Sequence, residues 1–233
     1  MPATESSSPD SKTIQSFFDS IPERYDFLNS VLSLSLDKLW RRALVKAAMT
    51  GEEKSFLDIG TGTGTSLLSF LKEKQFGLAV GCDFSKGMLK IAKEKVEGAF
   101  LAAADLHALP FGNERFDLVA SSFVLRSVKQ MDQFLSEVWR ILKKGGRFAF
   151  LDLTRPKNQL FWNFLYRPYL NVYLPTIGKV FSRHPHAYEF LSQSIQAFAE
   201  PELLQGQMRR AGFHSLECKP LSGGIATIFT GRK

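Results

Sequence analysis

The chain has 233 residues, of which 44% are hydrophobic and 23% charged, with a formal net charge of +7. This is an ordinary folded composition, long enough for one α/β domain with additions, and it excludes a low-complexity or fibrous chain. No apolar run nears the ~20 residues needed to cross a bilayer. The two cysteines, Cys82 and Cys218, lie in segments that read as strands and are expected as free thiols of a cytoplasmic protein rather than a disulfide or a metal site.

Residues 1–10 have neither a basic nor an apolar stretch of signal-peptide type and read as a disordered polar tail, with residues 11–233 as a single domain. Residues 11–50 read as a helical cap, with apolar positions at helical spacing in Phe17, Phe18 and Ile21 and again in Leu39, Trp40, Leu44 and Val45. Strands and helices then alternate. Strands are predicted over Ser55–Ile59, Leu78–Asp83, Ala99–Ala103, Phe116–Ser121 and Gly146–Leu153. Helices are predicted over Thr63–Lys74, Ser85–Val96 and Asp132–Leu142. That order implies a mostly parallel sheet covered on both faces. Residues 154–198 break the alternation with an aromatic-rich helical insertion interrupted at Pro168 and Pro175. A last helix, Pro201–Ala211, precedes two strands, Phe213–Lys219 and Gly224–Thr230, that pair naturally as a hairpin and bring the sheet to seven.

The segment L-D-I-G-T-G-T-G, Leu57–Gly64, follows a strand and enters a helix. Gly60, Gly62 and Gly64 allow a tight turn and close approach of backbone to ligand. The sixth position from Gly60 is Thr65, where a dinucleotide fingerprint needs glycine, and the loop carries no phosphate-gripping lysine. Asp58 would repel a pyrophosphate but suits an ammonium. Asp83 ends the next strand about 20 residues beyond the glycines, where a carboxylate accepts from ribose hydroxyls. Asp105 follows the third strand, placed to accept from an adenine amine, with Leu106 offering its backbone amide. A lone acid of this kind is usually a loop carboxylate; three at successive strand ends, beside that loop, point to S-adenosylmethionine. Thr61, Thr63, Phe84, Met88 and Ser122 complete the expected donor-binding set, although Thr63 and Ser122 could equally be plain loop hydroxyls.

Four stretches, L-D-I-G-T-G-T-G, G-C-D-F-S-K-G-M-L, A-L-P-F-G-N-E-R-F-D and L-K-K-G-G-R, resemble the motif series of the class I methyltransferases, which implies their Rossmann-like fold. Others are more specific. F-F-D-S-I-P-E-R-Y-D-F-L-N (Phe17–Asn29), S-S-F-V-L-R-S-V (Ser121–Val128), L-P-T-I-G-K-V (Leu174–Val180), A-Y-E-F-L-S-Q-S-I (Ala187–Ile195) and L-S-G-G-I-A-T-I (Leu221–Ile228) resemble the C-methyltransferases of ubiquinone and menaquinone biosynthesis. The resemblance covers residues 11–233. It departs at Val124, Ser127 and Phe229, where that family usually or often has Gly, Asn and His. It implies methyl transfer from S-adenosylmethionine to a ring carbon of a polyprenylated hydroquinone, with no metal.

Such an acceptor becomes nucleophilic at carbon when a hydroxyl loses its proton, so the site needs a base or a cation that stabilises the phenolate. Arg126, after the fourth strand, is the first candidate, as a permanent cation rather than a base; a structural salt bridge is the competing role. Tyr25 and Asp26 are further catalytic candidates. Asn29, Phe123, Tyr169 and Tyr188 are candidates for acceptor contact, although for the cap residues holding cap to core is as natural a role. His107, His184, His186 and His214 form no metal-ligand pattern. The stretch from Arg155 to Lys233 holds 10 Lys+Arg against 4 Asp+Glu. Beside the aromatic insertion, this suits peripheral contact with an anionic membrane surface. A methyltransferase for another aromatic or lipid acceptor is the rival enzyme reading. A nucleic-acid binder or RNA methyltransferase is the rival from another class, but the aromatics cluster with apolar residues instead of interleaving with basic ones, so no nucleic-acid partner is expected. Monomer and homodimer both stay open.

Overall fold

The computed structural model describes residues 30, 33–173, 186–198 and 200–233, with the backbone alone for 186–191. The first described helix is α1 (Leu36–Ala48). There follow β1 (Ser55–Ile59), α2 (Thr65–Glu73), β2 (Leu78–Asp83), α3 (Lys86–Lys95), β3 (Phe100–Ala103), β4 (Phe116–Ser122), α4 (Met131–Ile141) and β5 (Leu142–Leu153). After the aromatic segment come α5 (His186–Ala197), α6 (Pro201–Arg210), β6 (His214–Leu221) and β7 (Ala226–Arg232).

The seven strands form one sheet in the order β3-β2-β1-β4-β5-β7-β6. β1 pairs in parallel with both β2 and β4, and only β7 runs against its neighbours. Strand order therefore reverses between β2 and β4, and the switch point lies at the tip of β1, where open α/β sheets bind ligands. Alternate residues serve opposite faces. Leu57, Ile59, Val80, Cys82, Val119, Phe148, Phe150 and Phe229 pack with α4 and α6. Phe56, Ala79, Leu118, Ala120, Ala149, Leu151 and Ile228 pack under α1 and α2 through Trp40, Leu44, Val45, Leu67 and Phe70. Asp58 follows Phe56 by two and thus belongs to the second face.

Most predicted elements appear within two residues of their expected ends. α2 begins two residues late because the backbone must first pass Gly62 and Gly64, both at positive φ. Of the α1 stripe, Trp40, Leu44 and Val45 are buried while Leu39 is 55% exposed. Phe17, Phe18 and Ile21 lie outside the described residues. The terminal hairpin is present, closed by Ser222–Gly224. Cys82 and Cys218 are both free. Four strands lie between theirs, so five inter-strand steps of ~4.8 Å put them about 24 Å apart, far beyond disulfide reach.

Pro168 does not interrupt the insertion helix. The helical course runs unbroken from Gln159 to Tyr173, widening to π-turns at Trp162–Tyr166 and Tyr169–Tyr173 on either side of the proline. A proline ring crowds the carbonyl four residues back and removes an amide donor; a wider turn makes room for it without ending the helix. Pro175 lies outside the described residues. Among the described residues no helix is long and apolar enough to cross a membrane.

Candidate functional site

The glycine turn joins β1 to α2 with Gly60 at φ 66°, Gly62 at φ 55° and Gly64 at φ 83°. The three are not equivalent. A Cβ on Gly60 would collide with the Val124 side chain, and one on Gly64 with Val96. Only at Gly62 does a Cβ point into open space. Gly60 and Gly64 therefore serve packing, and Gly62 presents bare backbone to whatever approaches.

Around this turn the acids and hydroxyls interlock. The Asp83 carboxylate accepts from the Gly62 amide at 2.8 Å and from the Ser85 amide at 2.9 Å, holding the loop to the tip of β2. Ser85 in turn caps α3, accepting from the amide of the buried Met88 at 3.2 Å; Phe84 between them is half-buried. The Thr61 hydroxyl donates to Asp58 Oδ2 at 2.8 Å, and the Thr61 amide donates to the Cys82 carbonyl. Thr63 shares its hydroxyl with Thr65, and Ser122 with Ser66, at 3.2 and 2.9 Å.

Asp58 is fully buried, and among the described residues its Oδ1 has no hydrogen-bond partner. Burial pushes its carboxyl up to about 7, against the pull of the Thr61 hydroxyl and Arg41, while Asp83 pushes it further up. A buried carboxylate with an empty acceptor is costly unless a cation meets it. The Asp58 end of the site therefore calls for a positive group.

Asp105 sits differently. Its side chain is largely exposed and accepts from the His107 amide and ring at 2.9 and 3.0 Å; the amide, helped by the ring, keeps its carboxyl below the usual range. Leu106 packs on the core. The segment after it is pinned by α4: the Leu109 amide donates to Glu137 at 2.7 Å, and Arg140 reaches the carbonyls of Leu109 and Phe111.

Beyond β4 the chain turns at Phe123, a non-glycine residue at φ 63°. Such a conformation is uncommon for a bulky side chain and costs of order 1–2 kcal/mol. The Phe123 amide donates to the Leu151 carbonyl at 2.7 Å, and its ring packs toward α1, 6.4 Å from Trp40 with the Arg41 guanidinium 5.1 Å from its centroid. Next comes Arg126, whose Nε pairs with the wholly buried Asp152 at the end of β5. Its amide also donates to Asp152, and its Nη1 donates to Ser194 of α5 at 3.1 Å. Arg126 thus ties two strand ends to the insertion. The aromatic segment packs nearby, with Trp162, Tyr166, Leu170 and Ile195 buried together and Tyr166, Tyr169 and Tyr173 stacked in succession. Burial pushes the Tyr169 hydroxyl up to about 12. Tyr188 lies in the first part of α5, residues 186–191, where only the backbone is described; Tyr25, Asp26 and Asn29 lie outside the described residues.

The structure therefore gathers Asp58, Thr61, Gly62, Asp83 and Ser122 around one strand-tip turn and leaves Asp105 at its edge. Asp152 and Arg41 were not candidates from sequence. Asp152 stands at a strand's carboxyl end in F-L-D-L, the one local sign that it had. Arg41 reads in W-R-R as the wet side of an amphipathic helix.

A family model described as the ubiE/COQ5 methyltransferase family matches residues 6–233. A demethylmenaquinone methyltransferase of Streptomyces avermitilis is 38% identical over 221 residues, covering 94% of each chain. A ubiquinone/menaquinone biosynthesis C-methyltransferase UbiE of Geotalea uraniireducens is 40% identical over 227 residues, covering 94% of this chain and 96% of its own. Among solved structures, a SAM-dependent methyltransferase of Thermotoga maritima superposes with a TM-score of 0.64 at 20% identity, over 94% of this chain and 99% of its own, a likeness of fold.

Proposed function

The chain belongs to the ubiE/COQ5 methyltransferase family, and on that premise we propose that it transfers a methyl group from S-adenosylmethionine to a ring carbon of a polyprenylated hydroquinone, a demethylmenaquinol or a ubiquinol precursor. The observation that carries the donor half is the buried, unpartnered oxygen of Asp58 beside the open backbone of Gly62. A ligand with a cationic amino-acid end and no phosphate fits that pair. Asp83, which holds the glycine turn through the Gly62 and Ser85 amides, is assigned to the ribose hydroxyls. Asp105 and Leu106 flank the adenine position.

When bound, S-adenosylmethionine supplies a methyl group already activated by its sulfonium, so the protein's tasks are alignment and release of the acceptor's electrons. Methylation at carbon breaks the sulfur–methyl bond, forms a carbon–carbon bond and finally sheds the ring proton. Arg126 is the residue assigned to the developing phenolate. Asp152 and Ser194 take its Nε and Nη1, and Nη2 remains to donate to a ring oxygen or to a water. Tyr25 is assigned as a hydrogen-bond partner of the same oxygen or of a water, Asp26 to orienting Tyr25 or Arg126, and Asn29, Phe123, Tyr169 and Tyr188 to the contacts around the acceptor.

The isoprenoid tail explains a further feature. Leu160, Phe164, Leu165 and Val172 of the aromatic segment are 63–79% exposed. Arg155 lies against Trp162 at 4.8 Å and Lys157 pairs with Glu202 at their base. An apolar ridge with a basic flank is suited to resting on an anionic bilayer and taking a lipid quinol from it.

The test is incubation of the purified chain with methyl-labelled S-adenosylmethionine and either reduced demethylmenaquinone or the ubiquinone precursor. Label is expected on at least one quinol. Label on neither, with donor binding intact, moves the activity to another acceptor.

A further inference from the structure

The cap helix carries a buried cation that the family motifs do not explain. Arg41 is 8% exposed, and its Nη1 is held by Asp37 at 2.5 Å, one turn back on α1. Asp37 is itself buried and accepts from the Ser33 hydroxyl at 2.9 Å, which fixes the guanidinium in one orientation. Among the described residues the buried Arg41 Nε has no acceptor. A guanidinium hydrogen left unmet in the interior is rare and costly.

Its surroundings are those of the glycine turn. α1 covers the sheet face to which Asp58 belongs, and Trp40, its neighbour in sequence, packs among the residues of that face. The guanidinium lies over the Phe123 ring at 5.1 Å, and the next residue, Val124, fills the space that a side chain at Gly60 would need. Arg41 and Asp58 are close enough for the cation to draw the carboxyl's affinity for protons down. Yet the structure pairs Arg41 with Asp37 and not with Asp58. An unmet donor on one side and an unmet acceptor on the other, not bonded to each other, form a socket for a zwitterion.

We infer that Arg41 binds the α-carboxylate of the methyl donor, opposite Asp58 on its ammonium. The Nε–Nη2 edge is the side of a guanidinium that takes a carboxylate with two parallel hydrogen bonds, and Asp37 leaves that edge unused. This rests on the donor site proposed above and adds to it a charge-selective element from outside the strand-tip motifs.

The experiment is calorimetric titration of the full chain with S-adenosylmethionine and with its decarboxylated analogue, which keeps the adenosine, sulfonium and ammonium. The unaltered chain should bind the analogue roughly ten- to a hundredfold more weakly. Arg41→Gln should lose about that factor for S-adenosylmethionine and little for the analogue. Asp58→Asn should weaken both. Equal affinity of the unaltered chain for the two ligands, or equal loss of both in Arg41→Gln, overturns the assignment, the second outcome marking a purely structural arginine. If Arg41→Gln does not fold, Arg41→Lys keeps charge and stem without the side-on pair; discrimination as strong as in the unaltered chain would overturn the assignment. If the unaltered chain binds neither ligand, it is the donor site that fails, upstream of any role for Arg41.

Discussion

Gly60 and Gly62 share a positive φ and a place in the same turn, but a methyl group would meet different things at each. Gly60→Ala adds a collision with Val124 to the left-handed strain, so it should destabilise the fold by more than the ~1–2 kcal/mol of strain alone. Gly62→Ala carries the strain but meets open space, and its methyl would stand where the donor approaches. It should therefore lose donor affinity out of proportion to its change in Tm. Melting curves and calorimetry on the two variants check the contrast; equal effects on both readouts would mean that Gly62 faces bulk solvent.

Asp58 supplies a pH signature. Its folded value, about 7 against 3.8 for the free carboxyl, lies above the unfolded one. The folded chain thus holds a proton that the unfolded chain has released. The stabilisation is complete below about pH 4 and lost as pH rises through about 7. A donor ammonium favours the ionised form, so binding near pH 6 should expel up to one proton. Titration in buffers of different ionisation heat measures this, and Asp58→Asn should abolish it. Proton uptake in its place would put the ammonium elsewhere.

Strands and helices follow the order of apolar periodicity because each element's pattern is local. Register and partners are not. Arg126 and Asp152 are 26 positions apart and meet because β4 and β5 pair in parallel with Ser122 opposite Leu151. Neither residue's neighbours in sequence announce that pairing. Asp152→Ala should leave a buried, unpaired guanidinium and cost about 3–5 kcal/mol. It should also loosen α5 through Ser194. Urea unfolding with hydrogen exchange on α5 checks both effects; wild-type stability would show that water replaces the carboxylate. At Pro168 the local signal points to a break that the folded chain does not make. A residue that breaks a regular α-helix is accommodated by two π-turns, an option that depends on what Tyr166 and Leu170 pack against, with Trp162 and Ile195 completing their cluster.

On the scale of the molecule, the exposed apolar side chains Leu160, Phe164 and Leu165 follow directly on Arg155 and Lys157 at the start of the aromatic segment. Phe164→Ser with Leu165→Ser should reduce sedimentation with anionic vesicles several-fold while leaving donor binding unchanged, since both side chains point to solvent. Arg155→Glu should weaken the same association, with the added cost of its contact with Trp162. Binding that is indifferent to all three changes would put the membrane contact on another face, or remove it.

The sequence by itself determined the alternation of strands and helices, the glycine turn at the first strand tip and the acids at the next two. These depend on interactions a few residues long, on backbone conformations open only to glycine, and on motifs that lie contiguous in the chain. Tertiary structure alone decided which charges face which. Asp58 is left without a partner on one oxygen and Arg41 without an acceptor on one nitrogen, while Arg126 is drawn into a buried pair with Asp152. Charges a few ångströms apart in the interior interact far more strongly than the same charges in water, and distance in space, set by sheet register and helix packing, carries no mark in the linear order of residues.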